Sequence, residues 1–235
     1  LPEKSFEKWR DITGVTLLER YGMTEIGMAL TNPYEPVEAR RPRFVGAPFP
    51  GVEAAIMDNE TSEVHQDLGR EGELLIRSPS MFSRYLNRPE ATEASFTEDA
   101  AGKKWFMTGD YAVQDEENGQ YQILGRLSQD IIKKSGYKIS ALEIESRLHQ
   151  NDMIRESAVV GLPDEKYGEE IHAFVVLKSA HAAMGSIQAE KELDAYVREH
   201  MSSYKIPRVY HFIEALPRNN MGKISKLVLK DQFSS

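Results

Sequence analysis

The chain has 235 residues, enough for one large domain or two smaller ones, and 40% of them are hydrophobic, which is ample for a core. Its formal charge of −8 argues against a general nucleic-acid-binding surface, and the one dense basic run, Arg40-Arg41-Pro42-Arg43, is short enough to read as a solvated loop. With no cysteine there is no disulfide, thiolate zinc site or cysteine nucleophile, and no apolar run approaches the roughly 18 residues of a membrane-spanning helix.

The chain starts at Leu1-Pro2 and reads as a piece of a longer protein. From Pro2 to Thr13, Phe6, Trp9 and Ile12 recur at helical spacing and Gly14 stops the pattern. Val15-Thr16-Leu17-Leu18 then reads as a short buried strand running into Glu19-Arg20-Tyr21-Gly22-Met23-Thr24-Glu25-Ile26-Gly27. Polar residues just past the carboxyl end of a strand are where an α/β sheet binds its ligands. From Thr31 to about Gln122 the signals are β: Val52–Met57, Glu73–Arg77, Trp105–Met107 and Tyr121–Leu124, separated by Gly/Pro/Asn/Asp turns. That pattern predicts a small antiparallel barrel or sheet, interrupted by one helix starting at Pro89.

Beyond Gly125–Ser140, a charged stretch bounded by glycine, the pattern changes to helices alternating with strands, which marks a domain boundary and a hinge. Ser140 to His149 reads as a helix with Ser140 as N-cap and Glu143 completing a capping box. Strands follow at Ser157–Leu162, Ile171–Leu177 and Val209–Ile213, with helices at Gln188–His200 and Lys226–Phe233. The expected division is residues 1–127 and residues 128–235, with the hinge near 126–130.

Four polar constellations carry chemistry. In Tyr21-Gly22-Met23-Thr24-Glu25, glycine admits a ligand close to the backbone, tyrosine can stack on a flat ring, threonine can bond a phosphate oxygen and glutamate can ligate Mg²⁺. Taken alone, a Thr-Glu pair after a strand is more often a turn and helix cap. In Thr108-Gly109-Asp110 a carboxylate on a glycine turn can accept from the vicinal hydroxyls of a ribose, or simply close a turn between strands. Arg126 suits a phosphate, a sugar hydroxyl or an interdomain salt bridge. Lys223, in Pro217-Arg218-Asn219-Asn220-Met221-Gly222-Lys223, can deliver a point charge from a loop, although the spacing is not that of a Walker A loop.

Taken together, in this order and spacing, the four resemble the adenylate-forming superfamily of acyl-CoA synthetases, adenylation domains and luciferases. Val45–Glu53, Glu71-Gly72-Glu73-Leu74, Tyr85–Thr92 and Ser140–Glu145 carry the same resemblance across essentially the whole chain. It implies the end of a large α/β adenylate-forming domain, with a small β-barrel or sheet subdomain, followed by a small mobile α+β domain. It implies that an acid attacks the α-phosphate of ATP, with Mg²⁺ present, and that coenzyme A then displaces AMP. Carried over, Tyr21 stacks on adenine, Gly22 belongs to the nucleotide site, Thr24 binds the α-phosphate, Glu25 holds Mg²⁺, and Asp110 binds the ribose hydroxyls with Arg126 assisting. Lys223 enters for adenylation only, Gly136 and Tyr137 line the pantetheine tunnel, and the hinge pivots at Ser128 or Gln129. The hinge stretch is one residue longer than the commonest family pattern.

Glu19–Glu25 followed by Thr31-Asn32-Pro33-Tyr34 resembles the malonyl-CoA synthetase branch, which implies malonate or methylmalonate as the acid. The rivals are a medium-chain or aryl acyl-CoA synthetase and a degenerate nucleotide-binding module. The family's upstream phosphate loop is not in this sequence, so the expected partner is an N-terminal part of the same protein, without which the piece is inactive. No nucleic acid and no membrane span are expected, and the compartment is cytosol or mitochondrial matrix.

Overall fold

The computed structural model describes residues 3–181 and 184–233. They form two compact units that divide between Leu127 and Ser128.

The first unit opens on α1 (Glu3–Thr13), which buries Phe6 and ends at Gly14, whose positive φ of 70° suits the left-handed turn that stops a helix. The predicted strand at Val15–Leu18 does not form: these residues have no ladder partner, Val15 is 58% exposed, and the Thr16 carbonyl accepts from the Arg40 guanidinium at 2.7 Å. A strand is held by hydrogen bonds to a neighbour, and among the described residues none is offered here. The same contact corrects the reading of the basic run. Arg40 donates to the carbonyls of Thr16, Pro33 and Tyr34, and Arg41 pairs with Asp115 at 3.0 Å, so these side chains hold the loop together instead of lying free in solvent.

The strands follow as β1 (Arg20–Met23), β2 (Gly27–Thr31), β3 (Phe44–Pro48), β4 (Glu53–Met57), β5 (Val64–His65) and β6 (Glu71–Arg77). After α2 (Pro89–Glu93) come β7 (Phe96–Glu98), β8 (Lys104–Gln114) and β9 (Tyr121–Arg126). They make one sheet in the order β1-β2-β3-β9-β8-β6-β4-β5, with β7 on β8. Of the two expected arrangements, barrel or sheet, the described strands form the open sheet. Its middle is buried on both faces: Ile56, Leu74, Ile76 and Phe106 point into one cluster, and Ala55, Met57, Leu75 and Trp105 into another. That period-2 alternation is why Trp105 and Phe106, adjacent in sequence, serve different cores.

The second unit starts with a hairpin of β10 (Ile131–Lys134) and β11 (Tyr137–Ser140), then α3 (Ala141–Leu148). β12 (Ile154–Asp164), β13 (Gly168–Leu177), α4 (Ser186–His200), β14 (Val209–Phe212) and α5 (Lys226–Phe233) complete it. The sheet runs β11-β10-β13-β12, and β14 adds to β13 in parallel. Ile171, Ala173 and Val175 face α3 and α4 through Ile144, Leu148, Leu193 and Val197. Phe174 and Val176 turn the other way, toward Leu229 of α5. Ser140 caps α3 as expected, its Oγ accepting from the Glu143 N–H at 3.2 Å, while the Glu143 carboxylate receives the Lys205 ammonium at 2.7 Å.

Candidate functional site

The first unit brings together the polar residues that the sequence analysis had singled out between positions 21 and 126. Asp110 in β8 lies directly across from Arg126 in β9, so the residues between them are accounted for by an antiparallel turn-back of the chain. Arg126 Nε meets Asp110 Oδ1 at 2.9 Å and its other arm donates to the Thr108 carbonyl at 2.9 Å. The Tyr21 hydroxyl, from β1, donates to Asp110 Oδ2 at 2.6 Å. The two carboxylate oxygens are thus held by two different strands, and Asp110 is only 6% exposed. Burial, followed by the charge of Asp110, pushes the Tyr21 pKa far above the ordinary tyrosine range, so the phenol remains a donor at any working pH.

The Thr108-Gly109-Asp110 turn is fixed from within. Thr108 Oγ1 donates to the Leu74 carbonyl at 2.7 Å and accepts from the Asp110 N–H at 3.1 Å. Gly109 has φ 72°, and its N–H donates to Glu73 Oε1 at 2.9 Å. A Cβ at Gly109 would sit 3.3 Å from the Arg126 guanidinium, so glycine here serves both the turn and the arginine. Burial raises the Glu73 carboxyl above its usual range and the charge of Asp110 adds to this, against the lowering effect of the Gly109 N–H.

Thr24 and Glu25 lie in the turn between β1 and β2. Gly22 makes that turn possible, because a Cβ there would come within 2.3 Å of the Gly27 carbonyl oxygen. Glu25 is tied down at both ends: its carbonyl accepts from Phe82 N at 2.7 Å and its Oε1 from the Tyr85 hydroxyl at 2.9 Å. Tyr85 is in turn braced by Phe82, ring centroids 4.7 Å apart, which packs on Phe96 and Phe106. Thr24, Glu25, Glu73, Tyr85, Thr108 and Arg126 line one cavity of about 630 Å³. Glu73 and Tyr85 had been assigned no role from sequence. A glutamate opening an apolar run reads as a solvent-facing strand position, and only burial on both faces of the sheet reverses that.

The remaining predicted residues belong to the boundary and to the second unit. Ser128 and Gln129 lie in a turn between β9 and β10. Ser135 and Gly136, with φ of 51° and 82°, form the two-residue turn of the β10–β11 hairpin, in which Lys134 pairs with Tyr137. A Cβ at Gly136 would meet nothing within 4 Å, so its backbone conformation is what calls for glycine locally. Tyr137 is 57% exposed and stacks on Tyr204, centroids 5.0 Å apart. Lys223 is exposed on a loop closed by the Arg218–Ile224 bridge, where Asn219 Oδ1 accepts from the N–H groups of Met221 and Lys223, each at 3.0 Å.

This chain matches two profiles of known families: that of the AMP-binding enzyme over residues 1–86 and that of the AMP-binding enzyme C-terminal domain over residues 143–223. The chain belongs to the AMP-binding enzyme family. It is 42% identical to the mitochondrial malonate–CoA ligase ACSF3 of Homo sapiens, over 99% of this chain and 42% of that protein. It is 43% identical to the malonate–CoA ligase of Arabidopsis thaliana, over 100% of this chain and 38% of that protein. Among solved structures, ATP-bound MatB from Rhodopseudomonas palustris superposes with a TM-score of 0.84 at 34% identity, over 99% of this chain and 43% of MatB. A benzoate CoA ligase from Burkholderia xenovorans LB400 superposes with a TM-score of 0.80 at 31% identity, over 98% and 43%. The chain therefore spans about two fifths of the length of the relatives it matches. Among the described residues no helix is long and apolar enough to cross a membrane.

Proposed function

We propose that this chain is the C-terminal part of an AMP-forming acyl-CoA synthetase that activates a small dicarboxylic acid, malonate or methylmalonate, and passes the acyl group to coenzyme A. Residues 1–127 are then the end of the large domain, 128–235 the small mobile domain, and 126–130 the hinge between them. The observation that carries the reading is the buried Asp110 carboxylate held by Tyr21 and Arg126 beside the cavity that Thr24 and Glu25 line. A carboxylate is an acceptor-only group, and Asp110 is the one proposed to accept from the two ribose hydroxyls. Tyr21 and Gly22 border the adenine, and Thr24 donates to an α-phosphate oxygen. The choice of malonate rests on the likeness to malonate–CoA ligases.

The donor set fits Mg²⁺. Glu25 spends Oε1 on Tyr85 and keeps Oε2, and among the described residues no cluster of three or more acids and histidines offers a cage. One carboxylate completed by phosphate oxygens and water is how proteins usually hold this ion. Bound there, Mg²⁺ would neutralise phosphate charge as the acid attacks. Lys223 adds the second cation, meeting the acyl carboxylate and the nucleotide where negative charge concentrates.

The test uses the full-length protein. Pyrophosphate exchange with malonate, methylmalonate, acetate and octanoate should run fastest with malonate or methylmalonate; fastest exchange with octanoate would move the enzyme to the medium-chain group, and no exchange with any acid would make it a binding module. Lys223→Ala should cripple exchange and spare thioester formation from preformed acyl-adenylate; equal loss of both sinks the role given to Lys223.

A further inference from the structure

Three residues past Lys223 the chain buries another lysine. Lys226, the first residue of α5, is 8% exposed, and its Nζ lies 2.5 Å from Asp130 Oδ1 and 2.7 Å from Glu145 Oε1. Glu145, in α3, also accepts the Val159 N–H of β12 at 2.7 Å. Asp130 is the last residue of the turn that holds Ser128 and Gln129, and its carbonyl accepts the Ala141 N–H at 2.8 Å. One ammonium therefore joins the start of α5, the middle of α3 and the segment just after the unit boundary. Burial alone would lower the Lys226 pKa, but the two carboxylates outweigh it and leave it raised, so the ammonium keeps its charge.

Stability is a weak reason for such an arrangement. Removing charges from water costs several kcal/mol per ion, and a well-packed hydrophobic group in place of a buried ion pair is often neutral or stabilising. What a lysine between two carboxylates supplies is a single geometry. That geometry is passed on to the Lys223 loop by short steps. Ser225 donates to the Pro217 carbonyl at 2.8 Å, Ile224 bridges to Arg218, and Arg218 is pinned to Glu156 at 2.9 Å.

We infer that Lys226 is a positioning residue for Lys223: clamped between Asp130 and Glu145, it makes the loop that carries Lys223 follow the segment adjoining the hinge as one rigid piece. The inference rests on the role proposed for Lys223. It places a second lysine in the adenylation step without contact with either substrate.

The experiment compares Lys226→Met, Lys226→Arg, Asp130→Asn and the neutral triple variant Lys226→Met/Asp130→Asn/Glu145→Gln in the full-length enzyme, with Lys223→Ala as control. Melting temperature, kcat and KM for ATP in pyrophosphate exchange, and thioester formation from preformed adenylate are measured for each. The triple variant leaves no unpaired buried charge, so it should melt near the wild-type temperature yet lose on the order of tenfold to a hundredfold in exchange kcat, the scale of a catalytic group displaced by about 1 Å. KM for ATP should change little because Tyr21, Thr24, Asp110 and Arg126, which are proposed to hold the nucleotide, lie in the other unit, thioester formation should persist, and Lys226→Arg should recover most of the rate. Asp130→Asn, which keeps shape and an acceptor, gives a milder form of the same loss and serves where Lys226→Met fails to fold. A folded triple or Asp130→Asn variant with wild-type exchange kcat overturns the inference, as does equal loss of both half-reactions. If Lys223→Ala itself exchanges normally, the role of Lys223 fails first, and that result is distinguishable from a failure of the clamp.

Discussion

Asp110, the carboxylate proposed to bind the ribose, is kept both buried and aimed. Its two oxygens are taken by Tyr21 from β1 and Arg126 from β9, and the backbone beneath it is set by Thr108 and, through Gly109, by Glu73. Hydrogen bonds to a charged acceptor contribute more than neutral ones, and a buried acceptor left without its donor costs about 1–3 kcal/mol. Tyr21→Phe deletes one donor and keeps the ring, so any stacking role survives. The expected result is a KM for ATP raised about fivefold, the equivalent of about 1 kcal/mol of lost positioning, with kcat nearly unchanged. Steady-state exchange kinetics in the full-length enzyme decide it: a fall in kcat as large as the rise in KM would show that the hydroxyl acts on the reacting atoms instead of on Asp110.

At the scale of single elements, the β10–β11 hairpin carries two demands on one residue. Gly136 must adopt φ 82° for the two-residue turn, and in the proposed thiol-transfer arrangement it must leave room for the pantetheine arm. The two demands separate by substitution. Gly136→Ala violates both, whereas asparagine tolerates left-handed backbone and violates only the second. Gly136→Ala should therefore lower stability by about 1 kcal/mol and Gly136→Asn by less, yet both should slow thioester formation while adenylation continues. Urea unfolding and the two half-reactions check this; a Gly136→Asn enzyme that forms thioester at the wild-type rate would leave the turn as the only reason for glycine. Much of this element scale was legible in the sequence. Ser140 as a cap, the helices ending at His200 and Phe233, and the strand at Ile171–Leu177 follow from local pattern, and the structure has them. Val15–Leu18 misled because a short apolar run says nothing about whether a neighbouring strand exists. Glu73, Tyr85 and Lys226 escaped because a buried polar side chain is identified by what surrounds it in space, and their partners lie up to 96 residues away in sequence.

For the whole molecule, the proposed reaction cycle asks residues 126–130 to do two things in turn. Arg126 must stay with Asp110, since it pairs across the β8–β9 ladder, while Asp130 is committed to Lys226 in the second unit. Whatever rotation separates the half-reactions must therefore be absorbed between them, at Leu127, Ser128 and Gln129. Leu127 is the least free of the three, because its N–H donates to the Gly109 carbonyl at 2.9 Å. That leaves Ser128 and Gln129, the pair between which the extra residue of this stretch had left the pivot undecided. A hinge works by letting a few residues take a large change in φ and ψ, and proline fixes φ near −65° and removes the N–H. Gln129→Pro should retain adenylation and lose most thioester formation, with Ser128→Pro as the alternative site and Leu127→Ala, which leaves the backbone free to turn, as a control that keeps both. Single-turnover measurements of each half-reaction in the full-length enzyme report the outcome. If both half-reactions survive proline at Gln129 and at Ser128, the pivot lies outside this turn, and the clamp at Lys226 would then have to move with a different segment.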